Sequence, residues 1–216
     1  MPTERILSPN LGKPWPPNQT SIDKFPVYDI VRKRPVFNEE KYRLNVRGSV
    51  QHYFSLKWAE VLELPSVEVE ANFHCVTKWP KERLIWEGIP MRYIVERAAP
   101  HEDVVQAMVR GLEGYTTNVP LDYLLEPDTL LAYKLNGQIL PQQHGAPLRL
   151  VVPQLYAWKS AKYVTSIVFQ TDIRSGYWED RGYHMLGDPW QEQRFTKPIE
   201  QIRVWWNKLR KTNTED

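Results

Sequence analysis

The chain has 216 residues, 42% hydrophobic and 25% charged, with a formal net charge of +2; that is enough for one well-buried domain and short for two. The mixed, nearly balanced charge excludes the electrostatic footprint of a dedicated nucleic-acid or membrane-surface binder, and one cysteine excludes an internal disulfide. No apolar run reaches the roughly 18 residues of a membrane span, and no secretory pattern opens the chain, so a reducing cytoplasm is the expected location.

Residues 1–24 carry Pro9, Pro14, Pro16 and Pro17 and little periodic apolar content, which predicts an irregular arm that buries little surface. Lys41 to Val50 alternates Tyr42, Leu44 and Val46 with charged residues, a strand signal, and Ser55 to Leu64 spaces Leu56, Ala59, Val61 and Leu62 as a helix would. From Ser66 the period returns to two: Val67, Val69, Ala71, Phe73 and Cys75 share one face of a strand, with Glu68, Glu70 and Asn72 on the other. Leu84 to Ile89 reads as a short strand, Met91 to Ala98 as a helix, Val104 to Leu112 as a strand and Leu121 to Leu125 as a helical turn. Asn136-Gly137, between apolar runs within Leu130 to Leu140, is the dipeptide of a type I′ hairpin. Pro147 to Val152 and Tyr163 to Phe169 are further strands, and 196–216, with Ile199, Ile202, Trp205, Trp206 and Leu209, forms an amphipathic terminal helix. The sum is a strand-rich, mixed-sheet α+β domain over 25–195 with short helices between strands.

Two regions carry chemistry. A lone cysteine on a core face is by default an inert small hydrophobe. Cys75 differs in its context: His74 precedes it, Thr77, Lys78 and Trp79 follow, and a polar loop runs to Arg83, so the strand end opens toward a lined cavity. A thiolate there needs a cation or a metal, and soft sulfur suits a metal that already has sulfur donors. One cysteine, five histidines and no close-spaced ligand pair argue against structural zinc. A nucleophilic Cys75 with His144 or His184 as base is an alternative, although no local signature supports it. In the second region Arg149 lies inside an apolar strand, where a cation needs a buried partner, and Lys159-Ser160-Ala161-Lys162 sets two cations and a hydroxyl around exposed backbone donors. Such a set holds a phosphate, and with no glycine-rich nucleotide loop in the chain the phosphate belongs to another kind of cofactor.

These residues resemble the molybdenum-binding domain of the sulfite oxidase family, most closely its small stand-alone prokaryotic members. The resemblance runs from about Phe25 to Phe195 through Phe25-Pro26-Val27, Phe73-His74-Cys75-Val76-Thr77-Lys78-Trp79, Trp86-Glu87-Gly88-Ile89-Pro90, Gly114-Tyr115-Thr116-Thr117, His144-Gly145-Ala146-Pro147-Leu148-Arg149, Trp158-Lys159-Ser160-Ala161-Lys162, Gly182-Tyr183-His184 and Gly187-Asp188-Pro189-Trp190. It implies that Cys75 ligates molybdenum carried on a pyranopterin dithiolene. His144, Arg149, Ser160, Ala161 and Lys162 match positions that contact the pterin and its phosphate, and His74 and Lys159 adjoin them in the expected binding set. Phe25 and Val27 fall in a segment lying over the cofactor, and Tyr115 matches an active-site tyrosine able to donate to substrate. The implied function is two-electron redox or oxygen-atom transfer on a small sulfite-like or S-/N-oxide substrate, with a separate electron donor or acceptor and no haem. A non-catalytic cofactor carrier on the same scaffold is the alternative. Where sulfite-oxidising members carry an arginine-bearing segment after the cysteine, this chain has Val76-Thr77-Lys78-Trp79, and Lys24-Phe25 stand where many have Asn-His.

Overall fold

Short apolar runs broken by proline and glycine build sheets rather than long helices. The computed structural model describes residues 2 and 4–196. Along them run β1 (Arg5–Leu7), β2 (Arg43–Gly48), β3 (Phe54–Lys57), α1 (Trp58–Leu62), β4 (Val67–His74), β5 (Pro80–Pro90), α2 (Met91–Ala98), β6 (Gln106–Gly111), β7 (Thr116–Pro120), α3 (Leu121–Leu125), β8 (Leu130–Leu135), β9 (Gln138–Ile139), β10 (Arg149–Val151) and β11 (Val164–Gln170). One sheet has the order β1-β4-β5-β8-β10, with β9 pairing β8; the other is β3-β2-β11-β6-β7. β1 with β4 and β2 with β11 are parallel, and the remaining pairs are antiparallel. This is the strand-rich mixed-sheet α+β fold expected.

Two apolar clusters form. The larger joins Leu44, Val46, Val109 and Ile167 of the second sheet to Met91 and Ile94 of α2, Leu124 of α3, and Ile89, Leu131 and Leu150 of the first. The smaller lies on the other face of the first sheet: Val67, Val69, Ala71, Phe73 and Cys75 with Trp79, Trp86, Leu130, Ala132 and Val151. The alternation in β8 and β10 thus sorts neighbouring residues into different cores, Leu131 and Leu150 into the larger and Leu130, Ala132 and Val151 into the smaller.

Several expectations change. The arm is not wholly irregular: Arg5–Leu7 lies parallel to Glu68–Glu70 as an edge strand. Asn10, buried, bonds through Nδ2 to the carbonyls of Asn72 (2.8 Å) and Pro153 (3.1 Å) and accepts from the Asn72 amide (3.1 Å). No periodicity announces this, because three residues suffice for an edge strand. Residues 55–57, expected to begin a helix running to Leu64, instead belong to β3, which pairs with β2; Leu56 satisfies either period over so short a run, and tertiary pairing decides. The helix starts where the Glu60 carboxylate accepts from the Lys57 amide at 2.7 Å. The strand expected at Leu84–Ile89 extends back to Pro80, since pairing with β4 recruits the charged residues between. Thr116–Pro120, unassigned from sequence, is a strand beside β6. Asn136 and Gly137 take φ of 51° and 74°, the expected type I′ signs. The helix expected from Ile199 to Leu209 lies outside the described residues.

Candidate cofactor site

The end of β4 is aimed by two local devices. The β4–β5 register shifts between Ala71 and Phe73, and the Asn72 side chain accepts from the Arg83 amide at 3.0 Å; a bulge of this kind bends a strand and re-aims the side chains beyond it. Cys75 then enters a tight turn, its amide bonded to the Trp79 carbonyl (2.9 Å) and its carbonyl to the Lys78 amide (3.1 Å), with Lys78 at φ 72°. The Thr77 hydroxyl donates to the Cys75 sulfur at 3.2 Å. Burial pushes the Cys75 thiol up, against the Thr77 bonds and the charge of Arg194. A thiolate at this position therefore needs a strong electrophilic partner.

Cys75 opens on a cavity of about 240 Å³, whose wall includes Phe25, Val27, Tyr115, His144, Arg149, Ser160 and Lys162. Strand β10 brings Arg149 in on the Phe73 side, its guanidinium 4.8 Å from the Phe73 ring centre and 5.5 Å from that of Trp86. One terminal nitrogen donates to the His144 carbonyl at 3.0 Å, and the buried Nε has no partner. Among the described residues no carboxylate pairs with Arg149; burial lowers its pKa to about 10, so it remains a cation at neutral pH. His144 stacks on Phe25 at 4.3 Å. Burial and then the charges of Arg149, Lys162 and Arg34 hold His144 down to about 4, so its ring is neutral. The Ser160 hydroxyl accepts from the Val152 amide at 3.0 Å, and Tyr115 donates to the Trp158 carbonyl.

Three expected binding residues do not line the cavity. Lys159 is fully buried elsewhere, 2.6 Å from Glu179 and bonded to the carbonyl and side chain of Asn118, each at 2.9 Å. The 3-10 turn at Ala157–Lys159 sends it away from Lys162. His74 points to the opposite face of β4, where its Nδ1 meets Gln19 at 2.9 Å, as the strand's period requires of Cys75's neighbour. Ala161 is buried, its carbonyl accepting from the Leu150 amide at 2.9 Å. The cavity wall also holds Asp29, Glu113 and Tyr163, which sequence reasoning missed: each stands beside a motif rather than in one. Arg194, bonded to the Val76 carbonyl, brings a further cation toward Cys75.

The site suits a planar, anionic, sulfur-bearing group. It offers one soft ligand, an aromatic wall, a buried guanidinium with a free donor and a second cation, Lys162. It suits a thiol enzyme poorly: among the described residues no histidine bonds the Cys75 sulfur, and a depressed imidazole beside a raised thiol opposes the ion pair such chemistry needs.

Comparison with known proteins agrees. The family model for the oxidoreductase molybdopterin binding domain matches residues 31–178. The chain is 42% identical over 181 residues to the uncharacterized oxidoreductase YuiH of Bacillus subtilis, covering 84% of this chain and 91% of that protein. It is 28% identical to a putative protein-methionine-sulfoxide reductase subunit, YedZ1, of Azospira oryzae, over 84% of this chain and 70% of that one. With the protein-methionine-sulfoxide reductase catalytic subunit MsrP of Campylobacter jejuni it shares 27% identity over 66% of its length, spanning about half (54%) of that relative. The sulfane dehydrogenase SoxCD of Paracoccus pantotrophus has a similar fold, with a TM-score of 0.59 at 19% identity over 64% of this chain and 40% of that one. With a buried thiol and a cation-lined cavity on this sheet scaffold, the chain belongs to the oxidoreductase molybdopterin-binding domain family.

Proposed function

We propose that this chain binds a molybdenum atom on a pyranopterin dithiolene through Cys75 and catalyses two-electron redox or oxygen-atom transfer on a small substrate, exchanging electrons with a separate partner. The observation that carries this reading is one cavity walled by both a buried thiol and a buried guanidinium that has no carboxylate partner among the described residues. The bound cofactor would supply the two-electron chemistry that side chains cannot perform.

The chain's own residues divide the remaining work. Cys75 would be the protein ligand to the metal, and burial, which favours its protonated thiol, means that the proton would leave only in exchange for a metal. Arg149 and Lys162 would hold a phosphate on that group by charge, and the partnerless Nε of Arg149 is a donor open to it. Phe25, Trp79 and His144 supply flat, neutral walls that exclude water. The Tyr115 hydroxyl, tied to the Trp158 carbonyl, can accept a hydrogen bond from a ligand without losing its own proton. Among substrates we favour an S-oxide: the cavity-lining residues that directly follow Cys75, namely Val76, Thr77 and Trp79, are uncharged, Arg194 stands near the sulfur without lining the cavity, and relatives named as methionine-sulfoxide reductases support the choice.

The test is metal and pterin analysis of protein from a molybdenum-replete host, with dye-coupled turnover of methionine sulfoxide by reduced viologen. Near-stoichiometric molybdenum, lost in Cys75→Ser while the circular dichroism spectrum is kept, is the expected result. Protein that never carries molybdenum or releases pterin sinks the reading, and cofactor without turnover of any S- or N-oxide or sulfite leaves only a carrier.

A further inference from the structure

Around Lys162 the cavity already contains an anion supplied by the chain itself. The Lys162 ammonium is bonded to the Asp29 carboxylate and donates to the carbonyls of Tyr28 (2.7 Å) and Gln143 (3.2 Å). The other Asp29 oxygen meets Arg34 Nε at 2.8 Å. The Asp29–Lys162 side chains are only 14% and 15% exposed, so solvent screens the pair weakly. Asp29 belongs to Phe25–Val31, a run that lies along the cavity and has no helix or strand geometry.

Two buried polar atoms on the same wall have no partner among the described residues. They are Arg149 Nε and the Tyr163 hydroxyl, on residues 5% and 1% exposed. Tyr163 is held in the left-handed region at φ 54°, an uncommon conformation for a bulky residue, by a bond from its amide to the Gly145 carbonyl (3.1 Å) and one from the Leu112 amide to its carbonyl (3.0 Å). Both groups feel the Lys162 cluster electrostatically: Arg149 opposes the charge on Lys162, and Asp29 and Arg34 act on Tyr163. A carboxylate on Lys162 leaves both donors unsatisfied, which is costly in a buried site. A phosphate, with three acceptor oxygens and up to two charges, can engage all three.

We infer that the Asp29 carboxylate is a built-in counter-ion that a phosphate group displaces from Lys162 on binding, and that the Tyr163 hydroxyl then joins Lys162 and Arg149 as a third donor to it. The inference rests on the phosphate-bearing cofactor proposed above and adds to it a third ligand and a latch. Displacing Asp29 frees the Phe25–Val31 run, and with it the Phe25 ring that stacks on His144, to reseat over the incoming group.

The experiment uses cofactor-free protein and inorganic phosphate as probe. Calorimetry is expected to show Asp29→Asn binding phosphate at least about tenfold tighter than wild type, since a competing negative charge is gone. Adding Tyr163→Phe to that variant is expected to lose at least about fivefold. In the wild type, phosphate is expected to speed hydrogen exchange across residues 25–34, a readout that needs no variant to fold. Unchanged or weaker phosphate binding in a folded Asp29→Asn protein, or no exchange response in the wild type, overturns the inference. The cofactor reading is judged separately: molybdenum-loaded protein whose phosphate response ignores Asp29 sinks only the latch, whereas the stated phosphate response in a chain that never takes up molybdenum keeps the subsite and sinks the cofactor.

Discussion

Lys159 and Lys162 stand three positions apart and look equivalent in the sequence, yet they do opposite jobs. Lys162 faces the cavity. Lys159 is sealed with Glu179, which also accepts from Trp158 Nε1 at 2.9 Å, and the pair pins the turn that presents Ser160 and Lys162. Lys159→Met strands a buried carboxylate and is expected to cost roughly 3–5 kcal/mol in urea unfolding. Adding Glu179→Gln, which keeps the acceptor for Trp158, should recover more than half of that. Glu113 offers a pH signature. Burial raises its carboxyl from 4.5 to about 7, against the nearby positive charge of Lys162. Between those values the folded chain binds more protons than the unfolded one, so stability falls as pH rises through the window and is fully restored only below about 4.5. With the carboxyl partly open to solvent, the loss is expected to be on the order of 1–2 kcal/mol. Glu113→Gln should flatten this slope, as measured by urea unfolding at pH 5 and pH 7.5; an unchanged slope would refute the assignment.

At the scale of elements, close backbone approach sets what the sheets tolerate. A Cβ on Gly88 would stand 2.0 Å from the Leu131 carbonyl oxygen and 2.6 Å from the Ala132 Cα, where the β5–β8 register shifts. Backbone atoms inside a sheet cannot give way, so Gly88→Ala is expected to cost more than about 3 kcal/mol. Gly12→Ala, with nothing within 4 Å of its new methyl, should change stability by less than about 0.5 kcal/mol; comparable denaturation midpoints would contradict the argument. The helices α2 and α3 were legible from apolar spacing, Met91, Ile94, Val95 and Ala98 in one and Leu121, Leu124 and Leu125 in the other, and the structure puts Pro90 and Pro120 immediately before their first residues. Strand β3 was not, since four residues with one buried leucine carry no period of their own.

Across the whole molecule, the amino-terminal segment is a structural member of the cofactor sheet. β1 flanks β4, the strand that leads into Cys75, and Asn10 ties the segment to Asn72 and Pro153. Asn10→Ala leaves three buried backbone groups without partners and is expected to cost roughly 2–3 kcal/mol, with molybdenum retention falling in parallel; unchanged melting and metal content would show that the arm is dispensable. The amino-acid order alone established the strand that delivers Cys75 and its apolar face, the Asn136-Gly137 turn and the motifs of the family, because periodicity and turn chemistry are properties of a few adjacent residues. Only the tertiary structure decided that Lys162 rather than Lys159 faces the cavity, that Arg149 has no carboxylate among the described residues, and that Asp29, 133 positions away, neutralises Lys162. Pairing of buried charges depends on which distant backbones meet, and no local pattern records it.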